Sequence, residues 1–321
     1  LLHEKVWHPR EHNWAFICYT IDSRKTGFDK TCRRAVITLI DTAMQKPIYP
    51  CIWSNNNALE MAEFYVSVFP DAEIVDQNSA ATVFTISGQR ILILNGGNLY
   101  RPNPSISLMY LTEDANDVVK IHSKLKEGSM ELMPLDSYPF SPKYSWIEDR
   151  YGVSWQLYTG DAENIIQKVV PTIMCIGLNN GRAEEVMKFY TSVFPRSEMR
   201  GILRYTGEEG EAPGNIMHAE FKILDYLLMI MDSSYPHNFE LSEGMSLVVE
   251  CDTQDEIDAY WSKLTSDGGL ESMCGWLKDK FGVSWQITPS DMKDLVQKPD
   301  VMHEMMKMRK LDIAKLRAAA K

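Results

Sequence analysis

Cysteine is scarce in this chain, with six among 321 residues. Cys18, Cys32, Cys51, Cys175, Cys251 and Cys274 make no Cys-x-x-Cys pair and no Cys/His cluster at zinc spacing. That excludes a disulfide framework and a zinc module of ordinary spacing, and the expected compartment is reducing and cytoplasmic. Long apolar runs are missing as well: nothing reaches about 18 uninterrupted apolar residues, so no membrane-spanning helix and no membrane partner are expected. Positive charge is outnumbered, 33 Lys and Arg against 44 Asp and Glu, for a net charge of −11. Because a phosphate backbone is held by clustered Lys and Arg, nucleic acid is not an expected partner. The apolar share of 45% and charged share of 24% exclude a disordered or collagen-like chain. At roughly 150 residues per domain, the length suggests about two domains, each able to bury a core.

Residues 1–43 differ from the rest. They carry Trp7, Trp14, His3, His8 and His12 among scattered Lys and Arg without a sustained period. They lack the basic, apolar and small-residue succession of a secretory signal. Three histidines in an unpatterned segment bind nothing more often than they bind a metal. The segment is expected to be a poorly ordered extension, with Met44 as the natural start of translation.

An internal duplication organises the remainder. Phe64-Tyr65-Val66-Ser67-Val68-Phe69-Pro70 recurs as Phe189-Tyr190-Thr191-Ser192-Val193-Phe194-Pro195. Asp149-Arg150-Tyr151-Gly152-Val153-Ser154-Trp155-Gln156 recurs as Asp279-Lys280-Phe281-Gly282-Val283-Ser284-Trp285-Gln286. The offset grows from 125 to 130 between the two matches. It locates a longer loop at 207–215 in repeat two and another at 126–143 in repeat one. The expected domains are 44–166 and 167–298, followed by a Met-rich helix over 299–321.

Both repeats read alike. A short apolar strand (48–53; 172–178) meets a polar turn, then a helix with apolar Met61, Phe64, Tyr65 and Val68, or Val186, Phe189, Tyr190 and Val193, at spacings of three and four. Pro70 and Pro195 stop those helices. Strands follow, and halfway through each repeat the order restarts with strands 106–111 and 245–251 and helices 115–125 and 254–264. The pattern predicts four βαβββ units. In the terminal segment Val301, Met305, Met308 and Leu316 share one helical face, which is expected to dock on its own domain.

Paired βαβββ units with the FYxSVFP helix and the Cys274-Gly275-Trp276-Leu277 ending resemble the PhnB-like branch of the vicinal-oxygen-chelate superfamily. That superfamily also holds glyoxalase I, bleomycin-resistance proteins and extradiol dioxygenases. In repeat two the run from Cys251 to Asp258 and the Tyr260-Trp261 pair match the family wording; repeat one keeps Asn95-Gly96-Gly97 and the DRYGVSWQ run. The resemblance implies an α+β chain of two tandem glyoxalase-like domains, each a pair of βαβββ units forming a curved mixed sheet around a cleft. Single-domain relatives pair into dimers, so the duplication resembles a dimer fused into one chain, expected as a monomer.

This branch often carries the label 3-demethylubiquinone-9 3-methyltransferase. A typical S-adenosylmethionine enzyme needs a Gly-rich turn between strand and helix. Asn95-Gly96-Gly97 follows a strand but leads into no helix, so that chemistry is not expected. Metal-dependent members of the superfamily hold one divalent ion with His, Glu or Gln from the sheet. Carried onto this sequence by counting from the helix, the first-strand position is Pro50 or Cys175, and the last-strand position is Gln156 or Gln286. The strand opening each second unit offers Ser105 and Ser107, or Gly244 and Ser246. Most of these are poor ligands, so no metal or other cofactor is expected, a divalent ion being the minority reading.

The remaining candidates are few. His218 and Glu220 alternate onto one face of a strand and would serve as an acid–base pair if that face lined a cleft; a surface pair is the competing reading. Cys175 is a further catalytic candidate and Cys274 a pocket candidate, although buried inert thiols are the commoner case. Asp232, just past an apolar strand, is a pocket candidate against the alternative of a turn residue. Trp53, Trp146 and Trp276 offer flat apolar walls for a ring-bearing ligand, with Gln156 and Gln286 beside them; Trp155 and Trp285 are expected in the core. The leading expectation is a metal-free protein that binds a small, partly apolar molecule, repeat one serving mainly as structural partner. The rivals are a metal-dependent lyase, isomerase or dioxygenase-type enzyme and a partner-binding module built on the Met-rich tail.

Overall fold

The computed structural model describes residues 47–321; the expectations for residues 1–43, including His3, His8 and His12, lie outside the described residues. Four βαβββ units follow one another. Unit one comprises β1 (Ile48–Ser54), α1 (Ala58–Val68), β2 (Ala72–Gln77), β3 (Ala81–Ile86) and β4 (Gln89–Asn95). Unit two comprises β5 (Ile106–Thr112), α2 (Ala115–Leu125), β6 (Met130–Tyr138), β7 (Ser141–Glu148) and β8 (Ser154–Thr159). Unit three has β9 (Val169–Cys175), α3 (Ala183–Val193), β10 (Glu198–Arg204), β11 (Ile216–Ile223) and β12 (Tyr226–Asp232). Unit four has β13 (Met245–Cys251), α4 (Gln254–Leu264), β14 (Leu270–Glu271), β15 (Trp276–Lys278) and β16 (Ser284–Pro289).

The helices start and stop for local reasons. Asp114 caps α2 through the Asn116 N–H, and Thr253 and Glu256 form a reciprocal capping box at α4. Phe69 and Phe194 are extended because each precedes a proline, which ends α1 and α3. Met61, Tyr65 and Val68 of α1, and Val186, Tyr190 and Val193 of α3, bury the predicted stripes against the sheets.

The units assemble into two eight-stranded mixed sheets. The first runs β14-β15-β16-β13-β1-β4-β3-β2 and the second β10-β11-β12-β9-β5-β8-β7-β6. Each sheet thus takes one unit from each repeat: units one and four join where β1 pairs antiparallel with β13, units two and three where β5 pairs with β9. The sequence expectation paired the two units of one repeat within a sheet. Those two units meet instead through their helix faces, so the repeat is a packing unit and the sheet is shared.

The duplicated motifs are the two halves of that packing. Asp149, at the start of one DxxGVSWQ run, accepts hydrogen bonds from Tyr65 Oη at 2.8 Å, Trp155 Nε1 at 3.0 Å and the Tyr151 and Val153 amides. Asp279 repeats this with Tyr190 Oη at 2.6 Å, Trp285 Nε1 at 2.9 Å and the Phe281 and Val283 amides. Trp155 and Trp285 are fully buried. Gly152 and Gly282 turn the chain at φ of 86° and 89°, which a side chain rarely tolerates. Burial pushes the Asp149 carboxyl up to about 6 while its hydrogen bonds pull the other way.

The terminal segment forms two short helices after α5 (Met292–Leu295), α6 (Pro299–Met305) and α7 (Ile313–Ala319), rather than one helix over 299–321. The break has a cause. Met308 and Arg309 turn their carbonyls to the Cys274 and Gly275 amides at 2.7 and 2.8 Å, and Asp312 caps α7 through the Lys315 N–H. Val301, Met308, Leu311 and Leu316 are buried together with Leu295. No helix among the described residues is long and apolar enough to cross a membrane.

Candidate ligand clefts

Strand alternation gives each sheet one face against the helices and one face turned away from them. In β1, Ile48 and Ile52 belong to the core, which leaves Tyr49, Cys51 and Trp53 on the other face. Register extends that face across the first sheet to Ser246, Val248 and Glu250 of β13, Gln286 of β16, Trp276 of β15 and Arg90, Leu92 and Leu94 of β4. The same rule places Thr172, Met174, Ser107, Met109, Gln156, Tyr144, Trp146, His218 and Glu220 on the open face of the second sheet.

The first cleft is aromatic at one end. Trp53 donates Nε1–H to Gly97 O at 2.8 Å, and its ring meets Tyr100 edge-on at 5.0 Å and Trp276 at 5.8 Å. Gly96 is fixed by this ring: a Cβ there would lie 2.1 Å from a Trp53 ring carbon. The other end is ionic. Arg90 lies over the Tyr49 ring at 3.7 Å and grips Glu250 with bonds of 2.9 and 2.8 Å. Between them Gln286 donates to Ser246 Oγ at 3.0 Å. Cys51 beside it is buried, and burial pushes its thiol up to about 12.

The second cleft has the same frame and different fittings. Gln156 donates to Ser107 Oγ at 2.7 Å and accepts from Tyr144 Oη at 2.7 Å. Trp146 donates to Ser154 Oγ at 2.7 Å. Where the first cleft has Tyr49, Arg90 and Glu250, register places Val170, Leu227 and Leu111 here, buried with Met109 and Met229 as a separate apolar cluster. His218 Nε2 stands 3.9 Å from Glu220 Oε1, with Arg200 at 3.8 Å from the same carboxylate. Burial alone would raise the Glu220 carboxyl, but hydrogen bonding to His218 and the charges of His218 and Arg200 hold it below the usual carboxylate range.

The structure therefore brings Trp53, Trp276 and Gln286 onto the open face of one sheet, and Trp146, Gln156, His218 and Glu220 onto that of the other. Each face mixes residues of both repeats. Asp232 is not on either: buried at the end of β12, it accepts the Gly181, Ala183 and Ile216 amides at 2.9, 3.0 and 2.8 Å. Asn95 does the same for Ala58 at the end of β4. That match makes Cys175 the counterpart of Ser54, since β12 and β4 pair Asp232 with Cys175 and Asn95 with Ser54. A turn at Gly177–Asn179 lengthens the connection in repeat two and defeats counting back from the helix. Cys175 lies in the core, its thiol pushed up by burial, and Pro50 shares the Ile48 and Ile52 face. Cys274 sits at φ 60° in the turn before β15, bound through its amide to the terminal segment. Sequence reasoning missed Tyr49, Arg90, Glu250, Tyr100 and Tyr144; the extra length at 126–143 was the signal for the last. A surface groove of about 760 Å³ between Gln254 and the terminal segment lies apart from both clefts.

The model of the 3-demethylubiquinone-9 3-methyltransferase family matches residues 46–158 and again 167–288. The chain belongs to this family. A PhnB protein of Bacillus cereus is 40% identical over 39% of this chain and 100% of its own, with a TM-score of 0.36. Glyoxalase I from Zea mays covers 82% of this chain and 99% of its own at 10% identity, with a TM-score of 0.52, and so shares the fold. No curated protein matches the chain.

The family's name implies a methyl donor, and the Asn95-Gly96-Gly97 run does not form a donor-binding turn. Asn95 caps α1 while Gly96 and Gly97 seat the Trp53 ring, so the run that looks Gly-rich is spent on the aromatic wall. The superfamily's divalent ion does not fit either. Gln156 spends its Oε1 on Tyr144 Oη, and no three His, Cys, Asp or Glu side chains among the described residues are arranged to join either glutamine around a metal.

Proposed function

We propose that this protein binds a small, partly apolar, ring-bearing molecule in the first cleft, without a catalytic metal. The observation that carries the reading is the contact of Trp53 from repeat one with Trp276 from repeat two, both half-buried, beside the Gln286–Ser246 pair. Flat rings supply apolar area and the amide supplies orientation, which is the usual division of labour in a ligand site. Titrating a library of small aromatic compounds against tryptophan fluorescence tests it. Saturable quenching that weakens in Trp276→Ala supports the reading, and silence across the library overturns it. Elemental mass spectrometry of untagged protein is expected to find no stoichiometric transition metal.

A second reading, an enzyme, is favoured by the His218–Glu220 pair on the face of the second cleft. An imidazole beside a carboxylate held ionised suits proton transfer in an isomerase- or lyase-type reaction. His218→Ala tests the second reading: any isomerase- or lyase-type turnover is expected to be lost while ligand binding in the first cleft is unchanged, because the residue lies on the other sheet, and turnover that survives the substitution overturns it.

A further inference from the structure

Compared position by position, the open face of the second sheet carries an aromatic hairpin that the first sheet lacks. The extra length of repeat one folds into the β6–β7 hairpin, which brings Tyr138, Phe140 and Tyr144 together at ring distances of 5.0 to 5.6 Å. Tyr158 ties the hairpin down through a 2.8 Å bond to Phe140 O. The result is a phenol set on an amide: Tyr144 Oη lies 2.7 Å from Gln156 Oε1, with Trp146 as the register partner of Gln156.

The first cleft keeps the amide and loses the phenol. Gln286 pairs with Trp276 as Gln156 pairs with Trp146, and Gln286 is tied to Ser246 as Gln156 is tied to Ser107. The position matching Tyr144 is Cys274. Its left-handed backbone and its bond to Met308 O turn it away to the terminal segment, and the β14–β15 hairpin is too short to carry a ring cluster. Among the described residues no phenol donates to Gln286 Oε1, its other polar neighbour being the Cys51 thiol, while Trp53 and Trp276 stand beside it as aromatic walls.

We infer that the ligand of the first cleft is a phenol, its ring against Trp53 and Trp276 and its hydroxyl donating to Gln286 Oε1 in the manner of Tyr144 on Gln156. This rests on the ligand-binding reading above and narrows it to a chemical class. A carboxamide oxygen beside apolar walls discriminates against a ring that brings no donor, because the acceptor is then left unpaired.

The test uses p-cresol, which is the tyrosine side chain without its backbone, against 4-methylanisole and toluene, titrated into the full chain by calorimetry or tryptophan fluorescence. p-Cresol is expected to bind about tenfold more tightly than either ring without a hydroxyl. Gln286→Leu is expected to remove that difference while ring binding persists, and Tyr144→Phe to leave it intact. Equal binding of all three compounds overturns the phenol assignment and leaves the aromatic cleft standing. Binding of none of them overturns the cleft reading itself. The comparison of compounds on the unaltered chain decides the matter even where Gln286→Leu does not fold.

Discussion

Asp149 and Asp279 each hold an aromatic hydroxyl, an indole and two backbone amides in the interior, joining a helix of one unit to a strand of the next. Replacing Asp149 by Asn keeps the size but removes one of the two acceptor oxygens that four donors share. A loss of about 1–3 kcal/mol is expected, the ordinary cost of a buried unsatisfied group, read from urea unfolding with the m-value unchanged. The pH dependence has a defined sign. The folded value of about 6 lies above the ordinary aspartate value of 3.8, so the folded chain binds this proton more tightly than the unfolded one. The contribution is full below about pH 4 and is lost as pH rises through about 6. The unaltered chain should therefore lose stability over that range more steeply than Asp149→Asn, and parallel curves would contradict the assignment. Both motifs were plain in the sequence as a repeat. Their joint purpose was not, because Tyr65 and Asp149 are 84 positions apart and each run alone looks like a helix stripe or a turn. Gly96 shows the same limit: its reason is a ring 43 residues upstream. Gly96→Ala should displace Trp53, visible as a changed near-ultraviolet spectrum and a loss of ring binding in the first cleft.

At the scale of elements, periodicity located the four unit helices well, since each buries a stripe on one neighbouring sheet. It failed for 299–321, where the apolar spacing is helical throughout but the chain is pulled out of the helix around Met308 and Arg309, by two backbone bonds to the turn at Cys274 and Gly275. Backbone pairing of this kind leaves no mark in side-chain periodicity. Leu311, fully buried between the two helices, anchors this non-helical stretch. Leu311→Ala should cost about 2–4 kcal/mol by leaving a cavity, measured by thermal or chemical unfolding. A change within about 0.5 kcal/mol would mean that the segment is only loosely seated. The hairpins are the converse case. Their unequal length was legible as a changing offset, whereas the consequence, an aromatic plug in one cleft only, depends on a register that the sequence does not carry.

The whole molecule is interlocked by its sheets. Repeat boundaries read from the sequence fall between units two and three, and that is where β5 and β9 pair within one sheet, while β1 and β13 close the other sheet between the two ends of the chain. A repeat taken alone would present two open strand edges, β1 and β5, with apolar neighbours. In the intact chain each finds its partner in cis, and we propose a monomer in solution. This arrangement makes the two repeats one cooperative body, because separating them breaks both sheets at once and exposes the faces of both clefts. Calorimetry should then show one transition with equal calorimetric and van't Hoff enthalpies. The segment 161–166 between the repeats is largely exposed and offers a site for a nick. Cleavage there is expected to leave two fragments that elute together in native buffer at the mass of the intact chain, held by the two ladders without a covalent link. Fragments that elute separately and remain folded, or two resolved thermal transitions, would show that the repeats are independent domains and that the shared sheets do not govern stability.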